Sequence, residues 1–205
     1  EQTETALTLA RQNEVLQTIN AVSQELSSTL DIQKILERLV EANTKLLNAT
    51  SGYFSDWNTA AGTTTVLAEY ISSHASAEER ISDLGQTYRI VEHFGQPLDW
   101  PLQIQGYTIL HADDESVPPE EREHLQAYGI QSVLTIPMII DNEPFGLFEV
   151  YESRYRREFQ PSEVDLFRTL INQAISTIEN ARLYERTQHS EERNRALVAQ
   201  SPQAI

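Results

Sequence analysis

The sequence has no cysteine in 205 residues. That excludes disulfides, thiolate-held zinc, iron–sulfur clusters and any chromophore attached through a thioether. Positive charge is scarce: 15 Lys and Arg stand against 31 Asp and Glu, for a net charge of −16. The few cations form no stripe, so the basic surface needed for nucleic acid or an anionic membrane is missing. Long apolar runs are also absent. None approaches the roughly 20 residues of a membrane span, and no signal peptide is visible. The expected setting is cytoplasmic, without direct membrane contact. The chain opens on Glu1 and stops at Ile205 within a pattern, as an excised piece of a longer protein would.

Catalytic signatures are lacking as well. Histidines occur at 74, 93, 111, 124 and 189, with no H-x-x-x-H or H-E-x-x-H spacing, so no metal site is expected. There is no glycine-rich phosphate loop and no G-x-S-x-G. The pairs Asp113-Asp114 and Glu120-Glu121 read as solvated loop and helix-start charges, which a helix N-terminus favours. A binding module is expected rather than an enzyme.

What is present is organised around residues 129–152, GIQSVLTIPMIIDNEPFGLFEVYE. Two apolar runs flank Asp141-Asn142, a pair that tolerates positive φ and predicts a tight hairpin turn. The run from Ser132 to Ile140 is apolar at both alternating sets of positions, so both faces of that strand are covered. A two-residue turn places Ile140 opposite Glu143, Thr135 opposite Phe148 and Leu134 opposite Glu149.

Upstream, residues 5–30 carry a narrow apolar stripe, Val15, Ile19, Val22 and Leu26, at alternating spacings of four and three. It fits a coiled-coil seam or an amphipathic helix lying on its own domain. Asp31 is a good N-cap. Ile32, Ile35, Leu36, Leu39 and Val40 then give a broad apolar helix face reaching about Asn48. Strands are predicted at Ser51–Trp57 and Thr65–Ser72 around the turn NTAAGTT. Residues 73–107 are irregular, with a short helical segment expected at Ala75–Ile81, a strand at Gln86–Ile90 and a helical turn at Val91–Phe94. QPLDWPLQIQGY reads as an ordered loop anchored by Trp100, and such loops often carry binding function. Thr108–Leu110 is a brief strand. A short helix follows from Pro118-Pro119 to Tyr128, with Gly129 at its C-terminal turn. The last helix opens near Gln160-Pro161-Ser162-Glu163, with Ser162 as candidate cap, and its apolar face runs through Ile178 and Ala181. Beyond Tyr184 it turns polar and needs a partner.

The resulting class is α+β: an antiparallel sheet of about five to six strands, with terminal helices on one face and crossover loops and short helices on the other. With this order, and with Gly129, Ser132, Val133, Ile136-Pro137-Met138, the Asp141-Asn142 turn and Pro144-Phe145-Gly146-Leu147, the chain resembles the GAF domain family. The final helix, Phe159–Ile178, resembles that family's as well. Gly146 fits a close backbone approach, and Pro137 a position of relaxed pairing. A second likeness lies at Arg195–Ile205, where R-x-L-x-x-x-S-P-x-x-I is similar to the opening of a PAS domain. The division implied is a signalling or coiled-coil helix at 1–30, a GAF domain at 31–182, and a linker helix with the start of a PAS domain at 183–205. The resemblance implies a sensor of a two-component or related system, with an output such as a histidine kinase or diguanylate cyclase in the parent chain.

It also frames the ligand. Bilin-binding members of the phytochrome type need a cysteine, which is absent. The N-K-x-F-D-E motif of cyclic-nucleotide members is absent. Haem-binding members use a histidine, for which His93 and His111 are candidates. The expected pocket wall joins hairpin and crossover residues: Tyr70, Tyr88, Trp100, His111, Thr135, Phe148 and Glu149. Glu149 is the one charge within FGLFEVY, so it is paired, wet or functional. A place near an open edge, or a contact with Arg89, would make it unremarkable. Tyr53, Phe54 and Trp57 are assigned to packing. A homodimer is expected through the terminal helices, using Val15, Ile19, Val22, Leu26, Ile178 and Ala181. The alternative to a ligand sensor is a ligand-free dimerising spacer.

Overall fold

A computed structural model describes the backbone at residue 17 and from 20 to 200, with side chains as far as residue 188 except residue 185. Val15 and Ile19 therefore lie outside the described residues, as does the end of the PAS-like segment, and the side chains of residues 191–200 are not described.

The elements are α1 (residues 20–27), α2 (Ile32–Leu46), β1 (Ser51–Asp56), β2 (Thr63–Ile71), β3 (Thr87–Arg89), α3 (Ile90–Phe94), α4 (Trp100–Gln103), β4 (Thr108–His111), α5 (Pro119–Ala127), β5 (Ser132–Ile140), β6 (Glu143–Glu152) and α6 (Pro161–Gln200). The strands form one antiparallel six-stranded sheet in the order β3-β2-β1-β6-β5-β4. The expected class and layering are those observed.

Local chemistry accounts for most of the boundaries. The Asp31 side chain accepts a hydrogen bond from the Lys34 amide and caps α2. Asp141 and Asn142 both take positive φ, 53° and 65°, the geometry of the two-residue turn that matches strand twist. Gly129 takes φ 67° just past α5. At α6 the Gln160 amide donates to Glu163, so Glu163, not Ser162, satisfies the helix start. Residues 73–81 form turns rather than the expected short helix. There Glu79 is drawn into the interior, accepting from the hydroxyls of Thr50, Ser51 and Ser153.

The hairpin register differs by one residue from the simple expectation. Ile140 does face Glu143, but Ile139 pairs with Pro144 and Met138 with Gly146, leaving Phe145 as an extra residue on β6. This bulge puts Thr135 opposite Glu149, Ile136 opposite Phe148 and Leu134 opposite Val150. Gly146 sits beneath the Phe54 ring and the Ser55 carbonyl, where a Cβ would collide with both. β6 therefore lies hard against β1 at that point.

The sheet separates two unlike interiors. On the helix face, α1, α2 and α6 enclose Phe54, Ala68, Leu134, Ile136, Met138, Phe148 and Val150 in one hydrocarbon core. Phe148 meets Phe167 edge-on at 4.8 Å between ring centroids. Leu26, Ile178 and Ala181 are completely buried within this chain, and Val22 packs against the same core. These four residues, expected at a dimer seam, instead hold α1 and α6 to their own domain. The opposite face, covered by α3, α4, α5 and the loops, is mixed in character. It holds Tyr53, Val66, Leu125, Ile130, Val133 and Tyr151 in one cluster, and Trp57, Ile90, Phe94 and Leu147 in another.

Candidate functional site

β6 alternates between these interiors. Phe148 and Val150 point to the helix core, whereas Glu149 lies under the crossover segment with only 4% of its surface exposed. Glu149 accepts hydrogen bonds from Thr135 Oγ1 at 3.2 Å and from the Tyr151 hydroxyl at 3.4 Å. Burial pushes its carboxyl up to about 7. A void of about 20 Å³ lies beside it, lined by Tyr53, Tyr88, Asp83, His93, His124 and Tyr151, among others. That is room for about one water molecule.

The two histidines come from different helices. His93 on α3 stacks on Tyr88 at 4.3 Å and meets His124 of α5 edge-on at 4.4 Å. His124 continues the chain of rings to Tyr128 at 4.9 Å and to Tyr151 at 6.5 Å. Burial lowers both imidazoles to about 4, helped at His93 by the neighbouring His124, so both are neutral near pH 7. Glu121 of α5 is 3% exposed. Burial, then the nearby Glu149 charge, pushes its carboxyl up to about 8. Asp83 accepts the hydroxyls of Tyr88 and Tyr128 at 2.9 and 3.1 Å. Buried polar groups gathered in this way require partners.

The structure brings together only part of the expected pocket wall. Tyr88, Thr135 and Glu149 belong to the cluster. Phe148 faces α6, and Tyr70 packs on the same helix side, with Lys45 over its ring at 5.2 Å. Trp100 packs with Trp57 and Phe94, at 6.1 and 6.0 Å, beside the void rather than on it. His111 is bound at Nδ1 to Ser132 Oγ, 2.8 Å, and Nε2 lies 3.7 Å from Glu158. Ser132 is completely buried and accepts the Arg157 amide, so this serine–histidine–glutamate row presents no nucleophile. Arg89 is at the surface near Glu92, not against Glu149. Conversely, Tyr53 lines the void as well as packing. Glu121, expected as a solvated helix-start charge, is interior. The approach of α3 and α5 assembles His93 with His124, 31 positions apart, and no spacing in the sequence announces it.

A larger cavity of about 620 Å³ opens between the β1–β2 turn, α4 and the Asn142 hairpin tip, lined by Trp57, Leu98, Leu102 and Phe145. It is a surface groove without converging buried polar groups. Among the described residues no group of three or more His, Asp or Glu side chains is arranged to hold a metal ion, and no helix is long and apolar enough to cross a membrane.

Comparisons with known proteins agree with this fold. The chromophore-binding domain of an unusual bacteriophytochrome from R. palustris superimposes with a TM-score of 0.73 at 12% identity, over 85% of this chain and 63% of that one. The phycoerythrobilin-bound GAF domain of a cyanobacterial phytochrome gives 0.67 at 20% identity, over 85% and 97%. The blue-light absorbing form of the Thermosynechococcus elongatus PixJ GAF domain gives 0.64 at 20%, over 78% and 92%. The present chain thus spans under two thirds of the R. palustris domain. No curated protein sequence matches. The GAF domain model matches residues 31–178, from the Asp31 cap of α2 to the last core turn of α6, and the chain belongs to the GAF domain family.

Proposed function

We propose that this domain is a sensory module that binds a small molecule beneath α3 and α5 and passes the event through the sheet to α1 and α6. The observation that carries this reading is the alternation on β6. Glu149 stands among the titratable groups of the crossover face, and its neighbours Phe148 and Val150 are wedged against the helix core. A ligand that binds one arrangement of the crossover better than another would bias the helices by that difference in affinity. The parent chain would carry a PAS domain and an output such as a histidine kinase or diguanylate cyclase downstream.

Two of the structural neighbours are described as chromophore-binding or phycoerythrobilin-bound. The residues here do not fit a bilin held by a thioether, since the chain has no cysteine. The void of about 20 Å³ leaves no room for a tetrapyrrole in this arrangement. His93 is stacked among rings and His111 is bound to Ser132, which argues against either as a haem ligand.

The closed void also favours a second reading, a ligand-free dimerising spacer. Leu183 and Tyr184, 59% and 53% exposed on α6 just past the last core contact, are the surface for a homodimer in both readings. Thermal melting against haem, nucleotides, amines and small carboxylates, with native mass spectrometry of gently purified protein, separates the two. A bound mass or a shift lost in Glu149→Gln supports the sensor, and a melting curve indifferent to every compound supports the spacer. Leu183→Asp should lower the dimer fraction in sedimentation, and an unchanged distribution would remove α6 from the interface.

A further inference from the structure

Four carboxylates among the described residues are almost wholly buried, and three of them are well supplied with donors. Glu79 takes the hydroxyls of Thr50, Ser51 and Ser153 and the Ser76 amide. Glu152 takes the guanidinium groups of Arg154 and Arg157. Glu149 takes two hydroxyls. At Glu121, Oε2 is buried with no hydrogen-bond partner among the described residues. A chain that satisfies Glu79 fully and leaves Glu121 open has left a place for a donor from outside.

The surroundings define that donor. Glu121 is not on the lining of the void but stands on α5 three residues before His124, which is, and the charge of Glu149 raises the Glu121 carboxyl. Asp83 adds a third carboxylate, and neutral His93 and His124 each offer an acceptor nitrogen. Arg122, next to Glu121, gives Nη2 to the carbonyls of Asp114 and Val117, and its Nε is buried without a partner among the described residues, so it does not supply Glu121 in this arrangement. The residues lining the void include no Lys or Arg. Its walls are flat aromatic faces: Tyr53 lies 5.0 Å from Tyr151, and Tyr88 lies on His93. Carboxylates set among tyrosine rings make an environment that selects ammonium and amidinium groups, by charged hydrogen bonds and by attraction to the ring faces. The net charge of −16 also draws cations toward the chain.

We infer that this cluster is the binding site of a small organic cation, an aryl-bearing ammonium or amidinium whose N–H groups reach Glu121 and Glu149 while its ring lies among Tyr53, Tyr88 and Tyr151. The inference rests on the pocket reading above and names its ligand class. Space comes from outward movement of α5. That helix buries Leu125 alone among its own apolar residues and is bounded by Pro118 and Gly129, with Val117 and Ile130 buried just beyond its two ends as the points about which it would swing.

The test uses the whole chain at about pH 8.5, where ordinary carboxylates are ionised. Benzylammonium and benzamidinium are compared with benzyl alcohol and benzoate, by titration calorimetry and thermal melting. The two cations should raise the melting temperature by about 5 °C or more at ~100-fold above their Kd, with no shift from the alcohol or the carboxylate. Glu121→Gln keeps the side-chain volume and removes a buried charge, so it should fold at least as stably while losing the cation response. Glu149→Gln should lose it too. Inert cations, or cations that shift Glu121→Gln equally, overturn the inference. A response to benzoate or benzyl alcohol that disappears in Glu149→Gln also overturns the cation but keeps the pocket. With inert cations, the wider compound panel above decides the pocket separately.

Discussion

The two faces of one sheet solve opposite problems. On the helix side, Phe54, Leu134, Phe148, Phe167 and Leu170 are essentially inaccessible and surrounded by hydrocarbon. No titratable side chain is among them, so nothing on that face responds directly to a proton or a polar ligand. On the crossover side the same strands present Tyr53, Thr135, Glu149 and Tyr151 to a layer that brings Asp83, Tyr88, His93, Glu121 and His124. That layer spends stability on groups that gain or lose protons and partners. Dispersion and apolar burial anchor the first face, and the second is held in a form that small chemical changes can disturb.

The contrast breaks most severely on the dry side. Phe148→Ala should lower unfolding free energy by about 3–5 kcal/mol through lost burial and a cavity against Phe167, read from urea titration of the far-ultraviolet signal. A loss under about 1 kcal/mol would mean that the two layers are not so different. At the seam between strands, Gly146→Ala should cost about 2–3 kcal/mol, because the new methyl meets the Phe54 ring and the Ser55 carbonyl. The same titration measures it, and a neutral result would show that β6 can shift away from β1.

The wet side should appear as a dependence on pH. Burial raises the carboxyls of Glu149 and Glu121 from their ordinary 4.5 to about 7 and about 8, so across that range the folded chain binds more protons than the unfolded chain and stability falls as pH rises. The imidazoles of His93 and His124 are lowered from 6.5 to about 4, so between those values the folded chain binds fewer protons and stability rises with pH. The trends oppose each other between 4.5 and 6.5, and only the carboxyl trend remains above 6.5. The contribution of this cluster should therefore be nearly level to about pH 6.5, then fall by about 2 kcal/mol toward pH 8. Melting curves of wild type and Glu121→Gln/Glu149→Gln across that range provide the measurement. The double variant should lose the alkaline decline, and an identical decline in both would place its origin elsewhere. Smallest is a control at the edge of the dry face: Asp31→Ala should cost about 1 kcal/mol by uncapping α2, with no change in the alkaline decline.

Much of the fold is legible because it depends on neighbours in sequence. The Asp141-Asn142 turn, the Asp31 cap and the Gly129 stop each report a local conformation. The hairpin register escapes that logic, since the extra residue at Phe145 reflects where Gly146 must meet Phe54 on another strand. Strand alternation alone does not say which side of β2 is which, so the sequence places Tyr70 in the pocket wall, whereas β2 turns it, with Ala68, toward the helix core. Glu149 stood out as a charge inside an apolar strand. Glu121 did not, since an acidic first turn is what an exposed helix also shows. Leu26 fits a coiled-coil spacing and Ile178 and Ala181 extend the apolar face of the last helix, and packing on the chain's own sheet uses the same positions.

The helix that begins at Pro161 continues unbroken to Gln200, and the last buried residue among its described side chains is Ala181. At 1.5 Å per residue, the stretch beyond that residue is a rod about 28 Å long. Its fulcrum is the sheet, where Phe167 touches Phe148, one residue from Glu149. A tilt of about 5° at that contact would move the far end, about 50 Å along the helix, by about 4 Å. Under the proposed function the domain would act as a mechanical amplifier, with its input in the protonatable cluster and its long arm beyond the sheet.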